Sequence, residues 1–181
     1  MSKIILVTGP ARSGKSEWAE TLALQSAKTV IYVATADENI ADLEWCDRLT
    51  QHKLRRPQNW LTLEVPVALG ATVGSATAQN CLLVDSLGTW VANLLEQDEE
   101  IWLQVVQDFL VTARHCEGEI IFVAEETGWG VVPAYPIGRI FRDRLGSLVR
   151  RLGTISHTVY LVTGGHVLNL SALGSPLPEL K

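Results

Sequence analysis

Short apolar runs alternate along this chain with longer stretches in which apolar residues recur every third or fourth position. The runs are Ile4-Ile5-Leu6-Val7-Thr8, Val30-Ile31-Tyr32-Val33-Ala34, Cys81-Leu82-Leu83-Val84, Ile120 to Ala124 and Val159 to Thr163. Each has the length and continuous apolar character of a strand buried on both faces. Between them, helical spacing predicts helices over 15–27, 39–54, 87–96, 99–115 and 137–152. Trp90 and Trp102 fall on the apolar stripes of the third and fourth helices and read as core. Trp60 to Val65 reads as extended, and the tail past Gly165 as a short strand followed by a loose end. Five strands alternating with helices predict an α/β fold: an open, mainly parallel sheet with helices on both faces. The pattern does not give the strand order.

The first strand leads directly into Gly9-Pro10-Ala11-Arg12-Ser13-Gly14-Lys15-Ser16, and a helix follows. The loop fits G-x-x-x-x-G-K-[ST] in the strand-loop-helix context that the motif requires, which sets it apart from a chance match and makes the fold P-loop NTPase type. Gly9 and Gly14 permit positive φ, so successive amides can turn inward around a phosphate. The positive end of the helix adds to the anion site. Lys15 would meet the β- and γ-phosphates, and the Ser16 hydroxyl would join the coordination of a phosphate-bound Mg²⁺.

With 181 residues, 47% of them hydrophobic, the chain suits one nucleotide-binding domain over 1–181. A formal net charge of −5 and the lack of a long basic block argue against a nucleic-acid partner. No apolar stretch reaches the roughly twenty residues of a membrane-spanning helix, so a cytoplasmic protein is expected. Cys46, Cys81 and Cys116 show neither C-x-x-C nor zinc spacing and read as reduced, structural thiols.

Ligands of parallel sheets gather at the carboxyl ends of the strands. Thr35 follows the second run there, and Asp85 ends the third, where a carboxylate would lie on the Mg²⁺ side of the phosphate loop. A plain helix N-cap is the other reading of Asp85. Arg48, His52, Lys53, Arg55 and Arg56 crowd against Pro57, which pushes Arg56 out of helical geometry. That cluster reads either as a solvated polar face or as a place for a triphosphate with His52 as nucleophile. The loop Glu125 to Pro133, with glycines on both sides of Trp129, suits a mobile or substrate-facing segment.

Several separated stretches together resemble the bifunctional adenosylcobinamide kinase/adenosylcobinamide-phosphate guanylyltransferase family of cobalamin biosynthesis. They are ILVTGPARSGKS, YVATA, RLTQHKLRRPQNW, LLVDSLGTWVANLL, ETGWGVVP and GRIFRDRLG. The third is similar to the family's R-[IL]-x-x-H-[KR]-x-x-R-x-x-x-W segment and is more specific than the phosphate loop. The resemblance implies two reactions: phosphorylation of the corrinoid adenosylcobinamide by ATP or GTP, then transfer of GMP from GTP to the product. It implies a guanylyl-histidine at His52, with Lys15 as a catalytic partner. Carried over by position, nucleotide binding falls on Gly9, Pro10, Ala11, Arg12, Ser13, Gly14, Lys15, Ser16, Ala34, Thr35, Ala36, Arg55, Arg56, Pro57, Gln58, Glu64 and Asp85, with Ser16 and Asp85 toward Mg²⁺. Glu126 and the glycines around Trp129 would lie near substrate, and a homotrimer is implied. The chain departs from the family at Val149-Arg150, where an Asn-Gln pair is usual. A single-function small-molecule kinase and a nucleotide-switched interaction protein are the rival readings.

Overall fold

The computed structural model describes residues 3–36 and 56–178. The helix expected over 39–54 lies outside the described residues. Among the described residues seven strands form one sheet: β1 (Ile4–Gly9), β2 (Thr29–Ala34), β3 (Leu61–Glu64), β4 (Asn80–Asp85), β5 (Glu119–Glu125), β6 (Thr158–Thr163) and β7 (His166–Asn169). Their order is β3-β2-β4-β5-β1-β6-β7. All neighbours are parallel except β6 and β7, which form an antiparallel hairpin. The helices are α1 (Lys15–Gln25), α2 (Leu69–Gly74), α3 (Leu87–Asn93), α4 (Glu99–His115), α5 (Pro136–Ile155) and α6 (Leu170–Leu173).

All five apolar runs become strands of this sheet. The extended segment after Trp60 adds a sixth, β3, as a parallel edge beside β2. The tail forms β7, turned by Gly164 and Gly165 at φ +56° and +74°, and then the short helix α6 where a loose end was expected. Two expected helices end early, α1 at Gln25 and α3 at Asn93. Ala27 takes φ +55°, outside helical geometry, which closes the α1 end two residues inside the expected span.

The strands alternate between two cores. On one face Leu6, Val33, Leu82, Val84, Ile120 and Phe122 meet α2 through α5, with Trp90, Trp102, Phe109, Leu145, Leu148 and Leu152 completely or almost completely buried. Trp90 and Phe109 pack at a tilt with ring centres 5.1 Å apart, and Phe109 meets Phe122 edge-on at 5.5 Å. Each such side chain contributes about 1.5–3 kcal/mol by leaving water. On the other face Ile5, Val7, Tyr32, Leu83, Ile121 and Val123 pack against Ala19 and Ala23 of α1. Small residues on α1 let it lie close to the sheet, which fixes the phosphate loop that precedes it.

Arg144 of α5 is buried in the first core. It donates to the carbonyls of Leu94, Leu95 and Gln97 at 3.2, 3.4 and 2.8 Å, just past the end of α3, and to Glu99 Oε2 at 3.3 Å. Its guanidinium also lies 5.2 Å from the Trp102 ring centre. Carbonyls at a helix end are satisfied here by a side chain from another helix.

Candidate functional site

Strand register assembles one rim. At the carboxyl edge Glu64 of β3 pairs with Ala34 of β2, Ala34 with Asp85 of β4, and Glu125 of β5 with Gly9 of β1. Residues far apart in sequence, Gly9, Ala34, Glu64, Asp85 and Glu125, thus line the edge that carries the phosphate loop. Of the residues expected at the site, His52 and Arg55 lie outside the described residues.

Within the loop, Gly14 takes φ +89°, as expected. Gly9 is different: its backbone lies outside the positive-φ region, and it is needed because a Cβ there would run into the Val162 carbonyl of β6. The second left-handed residue is Arg12, at φ 59°. The loop therefore turns at Arg12 and Gly14 and is pressed against β6 at Gly9. Lys15 is buried, its ammonium donating to the Pro10 carbonyl at 3.3 Å, a long bond that a phosphate could replace. Ser13 Oγ is buried without a hydrogen-bond partner. An unpartnered hydroxyl inside a loop of this form fits an anion that completes it.

Asp85 lies opposite Ala34 and accepts from the Tyr32 hydroxyl through Oδ2 at 2.8 Å. Burial, and then the Asp85 charge, push the Tyr32 hydroxyl well above its ordinary range, so it stays a donor. The Arg56 guanidinium covers the other side of the Tyr32 ring, 3.6 Å from its centre. Tyr32 thus meets Arg56 through its ring and Asp85 through its hydroxyl. The N-cap of α3 is Ser86, whose side chain accepts from the Thr89 amide at 3.4 Å, so Asp85 itself does not cap.

Thr35 is completely buried and exchanges two hydrogen bonds with Ser86, donating to its carbonyl at 2.6 Å and accepting from its amide at 3.0 Å. Asn93 donates to the Thr35 carbonyl at 2.8 Å and to that of Pro66 at 2.9 Å. The hydroxyl of Thr35 holds the two strand ends together. Ala36 is buried beside it, while Gln58 and Glu64 are exposed and Pro57 is half-buried.

Beyond β5, Glu126 accepts from Thr8 Oγ1 at 2.6 Å, and its amide donates to the Gly9 carbonyl at 3.0 Å. Glu125 turns the other way, accepting from the Gly88 amide at 3.0 Å. Burial raises the Glu125 carboxyl above its usual range; a hydrogen bond from Ser86 and the Lys15 charge oppose that, and Asp85 adds to it. Both glutamates line a cleft of about 280 Å³ with Thr127, Gly128, Gly146, Val149 and Arg150. Val149-Arg150, the departure from the family pattern, faces the same cleft as Thr127 and Gly128 of the glycine-containing loop. Trp129 is exposed, as its glycine-flanked setting suggested.

Tyr32, Ser86 and Glu125 were not singled out by sequence reasoning. Tyr32 looked like one more apolar strand residue, and the only signal was a hydroxyl-bearing ring two positions before a strand end. Glu125 was hidden in a Glu-Glu pair whose members part company only in the tertiary structure.

Among the described residues no group of three or more His, Cys, Asp or Glu could hold a metal ion. The donor set of Ser16 hydroxyl and Asp85 carboxylate fits a hard cation that takes its other ligands from phosphate and water, as Mg²⁺ does. Cys81 and Cys116 are free and buried, and burial pushes the Cys81 thiol up to about 11. No helix among the described residues is long and apolar enough to cross a membrane.

A solved protein structure from Pyrococcus horikoshii OT3 is similar in fold, with a TM-score of 0.55 at 7% identity over 93% of this chain and 85% of that one. The bifunctional adenosylcobalamin biosynthesis protein CobP of Pseudomonas aeruginosa is 41% identical over 95% of this chain and 98% of its own length. The bifunctional adenosylcobalamin biosynthesis protein CobU of Salmonella typhimurium is 34% identical, covering 90% of this chain and 96% of its own. Residues 5–170 match the family model described as cobinamide kinase / cobinamide phosphate guanyltransferase. With a phosphate loop, a rim carboxylate and this match along nearly its whole length, the chain belongs to the cobinamide kinase / cobinamide phosphate guanyltransferase family.

Proposed function

We propose that this chain, as one nucleotide-binding domain, phosphorylates adenosylcobinamide with a nucleoside triphosphate and then transfers GMP from GTP to the resulting phosphate, releasing pyrophosphate. The observation that carries the reading is the rim: the phosphate loop and Asp85 brought to one edge by register in a chain of this family. The amides of Gly9 to Ser16 and the Lys15 ammonium take up the charge of the phosphates in both reactions. Tyr32, its ring covered by Arg56, donates to Asp85. Ser16 and Asp85 are the residues that would hold Mg²⁺, which when bound neutralises phosphate charge. For GMP transfer His52 is the nucleophile: its neutral imidazole attacks the α-phosphorus, and the phosphoramidate passes GMP to the acceptor phosphate. The remaining nucleotide contacts fall on Ala34, Thr35, Ala36, Arg55, Pro57, Gln58 and Glu64. A cytoplasmic homotrimer is the form in which the family resemblance has it act.

The test is incubation with α-labelled GTP and Mg²⁺, denaturation, and a search for acid-labile, base-stable label on the protein. Label on the wild type and none on His52→Ala is the expected result. A folded, nucleotide-binding wild type that takes no label overturns the transferase half. Transfer from γ-labelled nucleotide to adenosylcobinamide tests the other half, and sedimentation velocity tests the trimer.

A further inference from the structure

The two rim glutamates are adjacent in sequence and differently engaged. Glu126 is occupied: its Oε1 holds the Thr8 hydroxyl at 2.6 Å, and its amide is fixed on Gly9. Glu125 stands opposite Gly9 in the β1–β5 register, within electrostatic reach of the Lys15 ammonium. Its Oε2 rests on the Gly88 amide at 3.0 Å, and a Cβ at Gly88 would run into that oxygen. Glu125 also lines the cleft of about 280 Å³ between the β5–α5 loop and α5, the cleft whose far wall carries Val149 and Arg150. Glu125 thus feels the charge of the phosphate-loop lysine and is also part of the wall of a cleft open to solvent. A group that takes a proton from an acceptor needs this position: one side toward the phosphoryl donor, the other toward the space where the acceptor enters.

We propose that the cleft lined by Glu125, Glu126, Val149 and Arg150 receives the hydroxyl-bearing arm of the acceptor, and that Glu125 takes its proton during phosphoryl transfer. The proposal rests on the kinase half of the function proposed above. The acceptor oxygen bonds to the γ-phosphorus, the bond from that phosphorus to the β–γ bridging oxygen breaks, and its electron pair leaves with the nucleoside diphosphate. The acceptor proton passes to a Glu125 carboxylate oxygen and from there through the cleft to water. The charged groups around Glu125 are Lys15 of α1, Asp85 at the end of β4, Glu126 beside it and Arg150 of α5. Gly88 is a positioning residue, since only a residue without a Cβ leaves room for the carboxylate on its amide.

The two half-reactions separate this role from a structural one. Glu125→Gln keeps an acceptor oxygen for the Gly88 amide and loses the basic group. It is expected to lower kcat for phosphoryl transfer about 10²–10³-fold, with KM for the nucleotide nearly unchanged, and to flatten the acidic limb of the kcat profile against pH. Labelling of the protein by α-labelled GTP, which uses no acceptor hydroxyl, should continue at the wild-type rate and serves as the control for folding. Glu125→Asp should recover part of the rate. Glu125→Gln with wild-type kcat, equal loss of both half-reactions, or an unmoved acidic limb would each overturn the proposal. A wild type that takes GMP label but transfers no phosphoryl group to adenosylcobinamide fails the kinase reading itself, and the proposal goes with it.

Discussion

The Tyr32 hydroxyl donates to Asp85 Oδ2 at 2.8 Å across the β2–β4 pair, and the Arg56 guanidinium covers the Tyr32 ring at 3.6 Å. A strand residue in the second core therefore donates to a rim carboxylate, and Arg56 covers that residue's ring. Packing, hydrogen bonding and the site meet in these three side chains.

Tyr32→Phe keeps the ring and the Arg56 stack and removes the hydroxyl. A hydrogen bond to a charged partner contributes about 1.5–3 kcal/mol, and part of that is returned by water at the rim. The fold should persist, turnover should fall about tenfold, and more Mg²⁺ should be needed for half-maximal rate. A Mg²⁺ titration of both half-reactions checks this. Wild-type behaviour would mean that Asp85 is held by other contacts.

Gly9→Ala sets a methyl against the Val162 carbonyl, a backbone atom that cannot swing away. Overpacking of this kind costs about 1–3 kcal/mol and should shift the loop off β6. Thermal melting should fall and nucleotide titration should show binding lost. Gly128→Ala and Gly130→Ala are the controls: a Cβ at either meets nothing within 4 Å, and both should melt like the wild type.

Burial keeps the Glu125 carboxyl protonated to higher pH in the folded chain than in the unfolded one. The folded state then binds more protons, and stability falls as pH rises from the ordinary carboxyl range through the raised folded value. Glu125→Gln should therefore melt higher than the wild type at neutral pH, and the gap should close as pH falls to about 4. Melting curves over that range check it. A variant both more stable and slower in phosphoryl transfer is the combination that a purely structural role would not produce.

Arg144→Met tests the opposite kind of residue. The side chain satisfies three carbonyls past the end of α3 and reaches no part of the rim. Losing it should cost about 2–4 kcal/mol while kcat and KM for both reactions, measured well below the melting temperature, stay unchanged. Chemical denaturation and steady-state kinetics on one preparation decide it.

The outline of the fold could be read from the chain because strand and helix periods are local. Five apolar runs became five neighbouring strands, and the G-x-x-x-x-G-K-S loop lies between β1 and α1 where the motif put it. The edge strands β3 and β7 were weaker signals, since an edge strand is not buried on both faces. The helical character of the tail beyond Asn169 was not legible at all.

What the sequence by itself determined is everything carried by neighbours along the chain: the phosphate loop, the apolar runs and the spaced residues that mark the family. What only the tertiary structure decided is which residues meet. Asp85 becomes a rim carboxylate held by Tyr32, and not a cap, because β4 pairs with β2 in this register. Gly9 is demanded by the carbonyl of Val162, about 150 residues away in sequence, and not by its own dihedral angle. Glu125 and Glu126 look alike in the chain, yet one ends β5 and accepts from the Gly88 amide while the other begins the next loop and accepts from Thr8. Strand order and register are long-range agreements between core faces, and no local window of sequence contains them.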